Sequence, residues 1–241
     1  MKCKVISMTN ADARRARVVA MLSKEKKLDW SFFNAFGPRS DIGLNEDSNK
    51  QIRLYGRNLT TAEIGCFKSH YSVIKDHADN GSGWLLVLED DVYLDSNFDF
   101  TELIHLLEKN GIGYCRLFAK AYKQARCIAS LSGFRQLIRF STDPYGTQAY
   151  LIDIHSARDF IGSVNDISLP IDDEMGRFWK NGLVPYCIFP FPCIELAVPS
   201  SISNDRDEYN SSRNTRSLSF LYHKFLDKIH KTYFNFLTWR G

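Results

Sequence analysis

The residues of this chain best suited to chemistry are the adjacent acids Glu89, Asp90 and Asp91. They end an uninterrupted apolar run over 84–88, which is typical of a strand buried on both faces. Open α/β sheets bind ligands at the carboxyl ends of their strands, so the acids are predicted to lie where a ligand binds. Carboxylate oxygens suit Mg²⁺ or Mn²⁺, which can also bridge substrate phosphates. Because side chains alternate along a strand, we assign Glu89 and Asp91 as metal ligands on one side; the alternative is a solvated turn.

A second group of acids, Asp172, Asp173 and Glu174, follows Pro170. Close like charges can raise the pKa of one carboxyl group towards neutrality, which is what a general base requires. Asp172 and Asp173 are therefore the candidate catalytic residues. The alternative is that these acids cap the short amphipathic helix predicted around 178–179.

The N-terminal region predicts a β-α-β unit that would position the first acids. Residues 3–8 and 28–36 predict strands, and the helix between them is expected to carry Ala13, Ala16, Val19 and Leu22 on its apolar side. This order is typical of a parallel, nucleotide-binding sheet. Arg14 and Arg15, near the strand-helix turn, could hold a diphosphate. The alternative for this pair is a solvated basic helix face.

Capping signals and apolar periodicity predict the remaining elements. Thr9 or Asn10 is expected to cap the first helix, and Thr60 or Thr61 to cap a helix over 59–79. We interpret the lone histidine on that helix, His70, as a packing residue. The other predicted elements are a loop over 40–55, a helix over 100–108, strands over 114–118 and 125–130, a glycine turn that leads into a strand within 145–152, a helix over 156–164, a strand over 184–191 and a loop over 200–216.

The length and composition fit one domain, or one domain with an appendage. The chain has 241 residues, of which 44% are hydrophobic and 24% charged, so it can form a substantial core. Net charge is +3, but 211–241 holds six Lys or Arg residues against one acid. We therefore predict a domain over 1–210 and a basic, aromatic-rich helical tail over 211–241, and we expect no nucleic-acid partner.

The six cysteines are scattered and include no C-x-x-C pair, which argues against a structural zinc site and for reduced thiols in the cytosol. A disulfide between Cys187 and Cys193 is the open alternative. The N-terminus lacks the apolar region of a signal peptide. No stretch reaches the roughly 18 apolar residues of a membrane span. A cytoplasmic protein is expected.

Seven short motifs occur in a fixed order between Val5 and Arg206. They are Val5-Ile6-Ser7 with Arg14-Arg15, Phe32-Phe33-Asn34-Ala35, Glu63-Ile64-Gly65-Cys66-Phe67-Lys68-Ser69-His70, Leu88-Glu89-Asp90-Asp91-Val92, Tyr145-Gly146-Thr147, Pro170-Ile171-Asp172 and Ser200-Ser201-Ile202-Ser203-Asn204-Asp205-Arg206. This ordered set resembles glycosyltransferase family 25. Its bacterial members include lipooligosaccharide β-galactosyltransferases and its animal members include collagen galactosyltransferases. The resemblance does not extend beyond Ser217.

The resemblance implies a single GT-A-like, Rossmann-type nucleotide-sugar-binding domain with a mixed, mostly parallel sheet. It implies inverting transfer of a hexose, usually galactose from UDP-galactose, to a lipooligosaccharide or lipopolysaccharide core sugar. The triplet at 89–91 takes the place of the family's D-x-D-like motif for Mn²⁺ or Mg²⁺, and Asp172, preferred to Asp173, takes that of the acid in P-[VI]-D. The donor-binding candidates are Ser7, Arg14, Arg15, Asp90, Gly146 and Thr147.

Other functions remain open on these residues. A UDP-glucose-dependent glucosyltransferase of the same pathway is the alternative suggested by departures from the family pattern at Asn34 and at 148–149. A metal-dependent phosphoesterase or a glycoside hydrolase could also use two carboxylate sets, although a His-rich two-metal pattern is missing. The alternative from a different class is a non-catalytic protein that binds a nucleotide sugar or a membrane.

The tail predicts a basic amphipathic helix. Its apolar face is expected to contain Leu218, Leu221, Phe225, Ile229 and Phe236, with Lys224, Lys228, Lys231 and Arg240 interleaved. Such a helix suits an anionic membrane surface. The alternative is packing on the domain or on a second subunit in a homodimer. A lipid-linked oligosaccharide acceptor, implied by the resemblance, favours the cytoplasmic face of the bacterial inner membrane.

Overall fold

An eight-stranded mixed sheet forms the centre of the computed structural model, which describes residues 1–23, 28–196 and 217–239. In chain order the strands are β1 (Lys2–Ser7), β2 (Asp29–Asn34), β3 (Asn45–Glu46), β4 (Trp84–Glu89), β5 (Val92–Leu94), β6 (Tyr114–Arg116), β7 (Ala125–Leu131), β8 (Arg135–Phe140), β9 (Ala149–Asp153), β10 (Asp166–Ile167), β11 (Tyr186–Phe189) and β12 (Cys193–Glu195). The helices are α1 (Asp12–Leu22), α2 (Ser48–Tyr55), α3 (Thr61–Asn80), α4 (Phe100–Lys109), α5 (Ile154–Ser163), α6 (Ile171–Met175), α7 (Phe178–Asn181) and α8 (Leu218–Thr238).

The strand order of the main sheet is β2-β1-β4-β9-β6-β11-β8-β7. This confirms the α/β class and the mixed sheet. Contrary to the expectation that parallel pairs predominate, three of its pairings are parallel and four antiparallel. The parallel part, β2-β1-β4, brings Ser7 and Glu89 to the same edge, because Ile6 is in register with Glu89. The two short pairs β3–β10 and β5–β12 lie outside this sheet.

The apolar run of β4 is buried on both faces of the sheet, as predicted. Leu86 and Leu88 belong to a core cluster that includes Leu103 of α4. Leu85 and Val87 belong to a second cluster with residues of α3 and α5. This division follows from the alternation of side chains along a strand, and it confirms the prediction that the strand is buried on both faces.

Helix α3 begins at the predicted capping box. The Thr60 hydroxyl accepts a hydrogen bond from the Glu63 backbone at 3.2 Å, and the Glu63 carboxylate accepts one from the Thr60 backbone at 2.9 Å. The predicted cap of α1 at Thr9 or Asn10 is wrong. The capping position is Ala11, whose backbone N–H closes a turn onto Met8.

Several elements differ from the predictions. The expected loop over 40–55 contains β3 and α2, because Asp47 caps α2 and the buried Gln51 donates to the Ile167 carbonyl. By contrast, the glycine turn predicted to lead into a strand within 145–152 is confirmed, since Gly146 has a φ of +95° and β9 begins at Ala149. Strands β8 and β12 were not predicted. The loop expected over 200–216 lies outside the described residues.

The predicted C-terminal helix is α8, and one face of it packs on the rest of the chain. Asp227 pairs with Arg177 at 2.7 Å, and the rings of Phe234 and Phe178 lie 5.4 Å apart. The boundary proposed at 210–211 lies outside the described residues.

The six cysteines all lie in the described ranges, and the structure contains no disulfide among them, including between Cys187 and Cys193. Among the helices of the described residues, none combines the length and apolar character needed to cross a membrane.

Candidate functional site

A cleft of about 300 Å³ opens where β1 and β4 end, and we call it the strand-end cleft. It is lined by residues 6–8 at the end of β1, Arg14 of α1, residues 35–38 after β2, the first turns of α3, and 89–90. Apolar side chains of the 35–38 segment face carboxylates and a guanidinium. A planar, partly charged ligand suits such mixed walls.

Asp90 is held by residues of the first βα turn. The Ser7 hydroxyl donates to Asp90 Oδ2 at 2.6 Å, and Arg14 Nη1 donates to Oδ1 at 3.1 Å. The predicted donor-binding residues Ser7, Arg14 and Asp90 are therefore brought together. Their elements meet because β1 and β4 are adjacent parallel strands.

Arg15 lies beside this group but bonds mainly to the chain itself. Its guanidinium donates to the carbonyls of Ser7 and Met8 and to Asn34 Oδ1 at 2.6 Å. It also lies 4.6 Å from the centre of the Phe32 ring. These contacts connect the ends of β1 and β2, so Arg15 acts here as a positioning residue.

Glu89 turns towards β9 and α3. Thr147 donates to Glu89 Oε1 at 3.2 Å, and His70 Nε2 lies 3.4 Å from the same oxygen. Although burial opposes ionisation, the contacts with His70 and Thr147 hold the pKa of Glu89 below its usual range. The other ring nitrogen of His70 lies 3.0 Å from the Tyr150 hydroxyl. His70 is buried, as the packing interpretation requires, but it also orients a predicted metal ligand.

Asp91 is the acid of the triplet whose negative charge is least compensated by neighbouring donors and cations. Its Oδ1 is buried and lacks a hydrogen-bond partner within the described part of the chain. Burial and then the charges of Glu89, Asp90 and Glu195 raise the pKa of Asp91 to about 7. A buried carboxylate oxygen without a donor is favourable for a cation.

A metal site built wholly from protein side chains is not present in the described ranges, where no group of three or more His, Cys, Asp or Glu residues is arranged to hold an ion. The pair Glu89 and Asp91 nevertheless offers hard oxygen ligands of the type that Mg²⁺ or Mn²⁺ uses together with substrate phosphates. The donor set therefore fits such an ion only as a partial shell.

Gly146 lies in a sharp loop before β9. Its φ of +95° is readily adopted by glycine, and its carbonyl accepts a hydrogen bond from the buried Arg116. Arg116 also pairs with Asp143 at 2.6 Å. This arrangement fixes the loop from which Thr147 reaches Glu89.

Asp173 lies in a second cavity of about 500 Å³, lined also by Tyr145, Trp179 and four lysines. We call it the lysine pocket. The lysines are Lys123, Lys224, Lys228 and Lys231. Burial and then the charge of Asp172 raise the pKa of Asp173 to about 7, although Lys224 opposes the shift.

The acids at 172–174 form the first turn of α6, and Asp172 Oδ1 accepts a hydrogen bond from the Asp173 backbone at 3.1 Å. The predicted cluster thus lies in the first turn of α6, and Asp173 also lines a cavity. The capping alternative is wrong, because the N-cap positions of α6 and α7 are Pro170 and Arg177 and neither helix has a side-chain cap. Tyr145 lines the lysine pocket while Thr147 bonds Glu89. The 145–147 segment therefore connects the two groups of predicted residues.

Sequence reasoning missed Glu195. It lies on β12, accepts a hydrogen bond from Gln148 at 3.1 Å and adds negative charge next to Asp91. No spacing signal connects it to the triplet; only the pairing of β12 with β5 brings it there. His70 had a signal, since it lies within the motif at 63–70.

A family profile and several curated relatives point to one family. The sequence profile of glycosyltransferase family 25 (LPS biosynthesis protein) matches residues 1–175. The human Inactive glycosyltransferase 25 family member 3 is 26% identical over 237 residues, which cover 88% of this chain and 39% of that protein. The Haemophilus influenzae Lipooligosaccharide biosynthesis protein lic2B is 24% identical over 234 residues, which cover 89% of this chain and 86% of that protein. The Neisseria meningitidis Lacto-N-neotetraose biosynthesis glycosyltransferase LgtE is 24% identical over 247 residues, which cover 92% of this chain and 87% of that protein.

The chain spans about two fifths of the length of the human relative and most of the length of the two bacterial ones. Because the family profile matches residues 1–175 of the 241 residues, the chain belongs to glycosyltransferase family 25.

Proposed function

We propose that this chain transfers a hexose, galactose from UDP-galactose, to a core sugar of a lipooligosaccharide or lipopolysaccharide, with inversion at the anomeric carbon. Family membership and the names of two bacterial relatives support the pathway. The observation that carries the proposal is the convergence of Ser7, Arg14, Asp90 and Glu89 on the strand-end cleft. A nucleoside diphosphate matches its apolar wall and its charged floor.

The residues of the strand-end cleft divide the work of holding the donor. Asp90, held by Ser7 and Arg14, presents a fixed carboxylate suited to ribose hydroxyls. Arg14 places a guanidinium next to the position of the diphosphate, whose negative charge increases as UDP leaves. Glu89 and Asp91 would hold Mn²⁺ or Mg²⁺, which when bound neutralises that charge.

The acceptor hydroxyl needs a base on the opposite side of the sugar. The structure offers Asp172 and Asp173; Asp173 lines a cavity and has a pKa raised to about 7. We therefore propose that the Asp173 carboxylate accepts the proton of the acceptor hydroxyl as that hydroxyl attacks the sugar. Burial and the charge of Asp172 keep the pKa of Asp173 raised. Single displacement by the hydroxyl gives the inverted product.

A donor screen tests the proposal. UDP-galactose, UDP-glucose and other UDP-sugars are incubated with truncated lipooligosaccharide acceptors, and the products are read by mass. We expect a mass increase of one hexose with UDP-galactose. Transfer from UDP-glucose alone would instead support the glucosyltransferase alternative.

A non-catalytic nucleotide-sugar-binding protein is the second candidate, because the human relative is named inactive. UDP release measured with and without acceptor separates the two candidates. Binding of UDP-galactose without UDP release under any acceptor condition would support this second candidate.

We also propose that α8 holds the enzyme on an anionic membrane surface, at the cytoplasmic face of a bacterial inner membrane. The apolar face expected from the sequence points away from the domain. Its side chains are largely exposed: Leu218 87%, Leu221 46%, Phe225 61%, Ile229 45% and Phe236 63%. A lipid-linked acceptor would then be held near the site, which is the reason to prefer a membrane to a second subunit.

A further inference from the structure

The lysine pocket has a concentration of positive charge that the proposed chemistry does not use. Lys224, Lys228 and Lys231 come from successive turns of α8, and Lys123 comes from the segment before β7. Spacings of four and three residues place the α8 lysines on one side of the helix. The cavity, of about 500 Å³, is large enough for a sugar with a charged substituent.

Of the three acids that line the pocket, Asp143 and Asp227 are paired with arginines, and Asp173 interacts electrostatically with Lys224. Asp143 is engaged by Arg116 at 2.6 Å, and Asp227 is engaged by Arg177 at 2.7 Å. In the described ranges, by contrast, none of the four lysines forms an ion pair. Burial lowers the pKa of Lys231, and the charges of Lys224 and Lys228 add to this although Asp227 opposes it. An anion among these ammonium groups would relieve their repulsion.

The other walls match a saccharide. Trp179 and Tyr145 line the pocket with aromatic surface, on which the apolar face of a sugar ring can pack. Thr142, Thr232 and Asp173 line the same pocket and can bond to hydroxyl groups. The ligand chemistry is therefore a sugar ring with an anionic group.

We propose that the lysine pocket binds an acidic saccharide, with its phosphate or carboxylate group among the lysines, as the acceptor of the transfer. This inference rests on the proposed function, because it makes Asp173 the group that faces the acceptor hydroxyl. The position supports it: the 145–147 segment borders the pocket at Tyr145 and contacts Glu89 through Thr147. Helix α8 would thus complete the acceptor site.

Binding is tested on the full chain with four probes: glucose 6-phosphate, glucuronic acid, glucose and inorganic phosphate. The readout is the NMR signal of the Trp179 indole N–H, assigned with Trp179→Phe. We expect both acidic sugars to bind at least about tenfold more tightly than glucose, since charge-assisted hydrogen bonds are added. The phosphate and carboxylate probes distinguish the two sources of the anion. Equal binding of glucose and both acidic sugars overturns the proposal, and inorganic phosphate binding as tightly as glucose 6-phosphate overturns its saccharide part.

Two variants that each remove one positive charge test whether the preference for acidic sugars arises in the lysine pocket. Lys228→Gln removes a charge from the pocket, whereas Lys109→Gln removes one from the exposed end of α4. We expect Lys228→Gln to lose most of the preference for acidic sugars, Lys228→Arg to retain it, and Lys109→Gln to leave it unchanged. An unchanged preference in Lys228→Gln, or an equal loss in both glutamine variants, overturns the proposal.

Transfer assays separate this inference from the proposed function. If galactose is transferred from UDP-galactose equally well to acidic and neutral acceptors, with release of UDP, the inference fails and the proposed function stands. If acidic sugars bind as expected but no UDP-sugar is ever consumed, the proposed function fails, and with it the role of the bound sugar as an acceptor.

Discussion

At the scale of single residues, three adjacent acids have three different environments, and the environments separate their roles. Asp90 is neutralised by Arg14 and held by Ser7. Glu89 is kept ionised by contacts with His70 and Thr147. Asp91 has neighbours of its own charge and a buried oxygen without a partner among the described residues. It is therefore the residue whose environment is most improved by a cation.

Asp91→Asn should abolish metal-dependent transfer, lowering the rate at least about 100-fold, while the thermal unfolding temperature stays the same or rises. The unfolding temperature should not fall, because the amide removes a charge from a repelling cluster. Transfer with and without EDTA and thermal unfolding are the measurements, and Asp159→Asn, at an exposed site, is the control. Near-normal turnover in the folded variant, with an EDTA-insensitive parent, would contradict the metal assignment.

The transfer rate should increase as the pH rises through about 7, because the pKa of Asp173 is raised to that value and a base must be deprotonated to accept a proton. Burial, Asp172, Asp143 and Glu63 raise this pKa, and Lys224 lowers it. Lys224→Gln should therefore move the profile to higher pH.

The measurement is the pH–rate profile at saturating UDP-galactose, with Lys109→Gln as the control for loss of one charge. Asp173→Asn should still bind the donor but lose most transfer. A flat profile between about pH 6 and pH 8 would argue against Asp173 as the base.

At the scale of elements, two helices that are far apart in the sequence, α3 and α8, each position one part of the site. Helix α3 starts in a capping box and carries His70 towards Glu89. Its close approach to the 35–38 segment requires Gly65, where an added Cβ would lie 3.1 Å from the Phe36 carbonyl oxygen. Helix α8 lines the lysine pocket, and its Thr238 accepts hydrogen bonds from the buried Arg139 guanidinium.

Thr60→Ala should lower the free energy of unfolding by about 1 kcal/mol, since the Glu63 backbone N–H loses its acceptor. Thr61→Ala removes the same atoms from the first helical residue, whose side chain is exposed, and should have a much smaller effect. Urea unfolding of both variants is the measurement. Equal losses would show that the capping box does not stabilise the start of α3.

Truncation after Arg216 should destabilise the protein by about 3 kcal/mol, because a buried guanidinium loses its partners. Arg139 donates to the Thr238 carbonyl and, at 2.7 Å, to the Thr238 hydroxyl, and it lies 5.2 Å from the Trp239 ring. Arg139→Leu in the truncated chain should recover part of the loss, since the uncompensated charge is removed.

Thermal unfolding of the full chain, the truncated chain and the truncated Arg139→Leu variant measures this coupling. Equal stability of the first two chains would show that α8 contributes no stabilising contact. Truncation is consequently a poor test of membrane binding, and substitutions on the exposed face are preferable.

At the scale of the whole molecule, α8 has two different faces, one in contact with the domain and one exposed. The face that contacts the domain carries the ion pair of Asp227 and the ring contact of Phe234. The exposed face carries large apolar side chains, including Phe225 and Ile229. With lysines between the two faces, the molecule has one surface suited to anionic lipids.

Phe225→Ser should weaken binding to vesicles of mixed zwitterionic and anionic phospholipids by about tenfold, because it removes buried apolar area at the lipid interface. Binding of the parent should also weaken as salt is added. Phe134→Ser is the matched control, since Phe134 is fully exposed on the β7–β8 turn. Cosedimentation gives the affinity, and size-exclusion chromatography gives the oligomeric state. Unchanged vesicle binding, or a dimer that dissociates in Phe225→Ser, would make this face a subunit interface instead.

The amino-acid sequence by itself determined the elements whose signal is local. The apolar run of β4 predicts a doubly buried strand because all of its residues must leave water, and the Thr60–Glu63 spacing predicts a helix start because both partners lie within one turn. The acids at 89–91 and 172–173, like the family motifs, could be identified from the sequence because each is a short run of adjacent residues.

Only the tertiary structure decided what those residues contact. Glu195 joins the acidic cluster through the pairing of β12 with β5, and Arg15 is turned towards Asn34 rather than the cleft. Helix α2 was missed because its stability depends on a buried Gln51 bonded to residues far away in sequence. Likewise the periodicity of α8 predicted an apolar face, but only tertiary contacts such as those of Asp227 and Phe234 show which face meets the domain. Pairing between distant segments depends on the whole fold, and no local pattern of residue types encodes it.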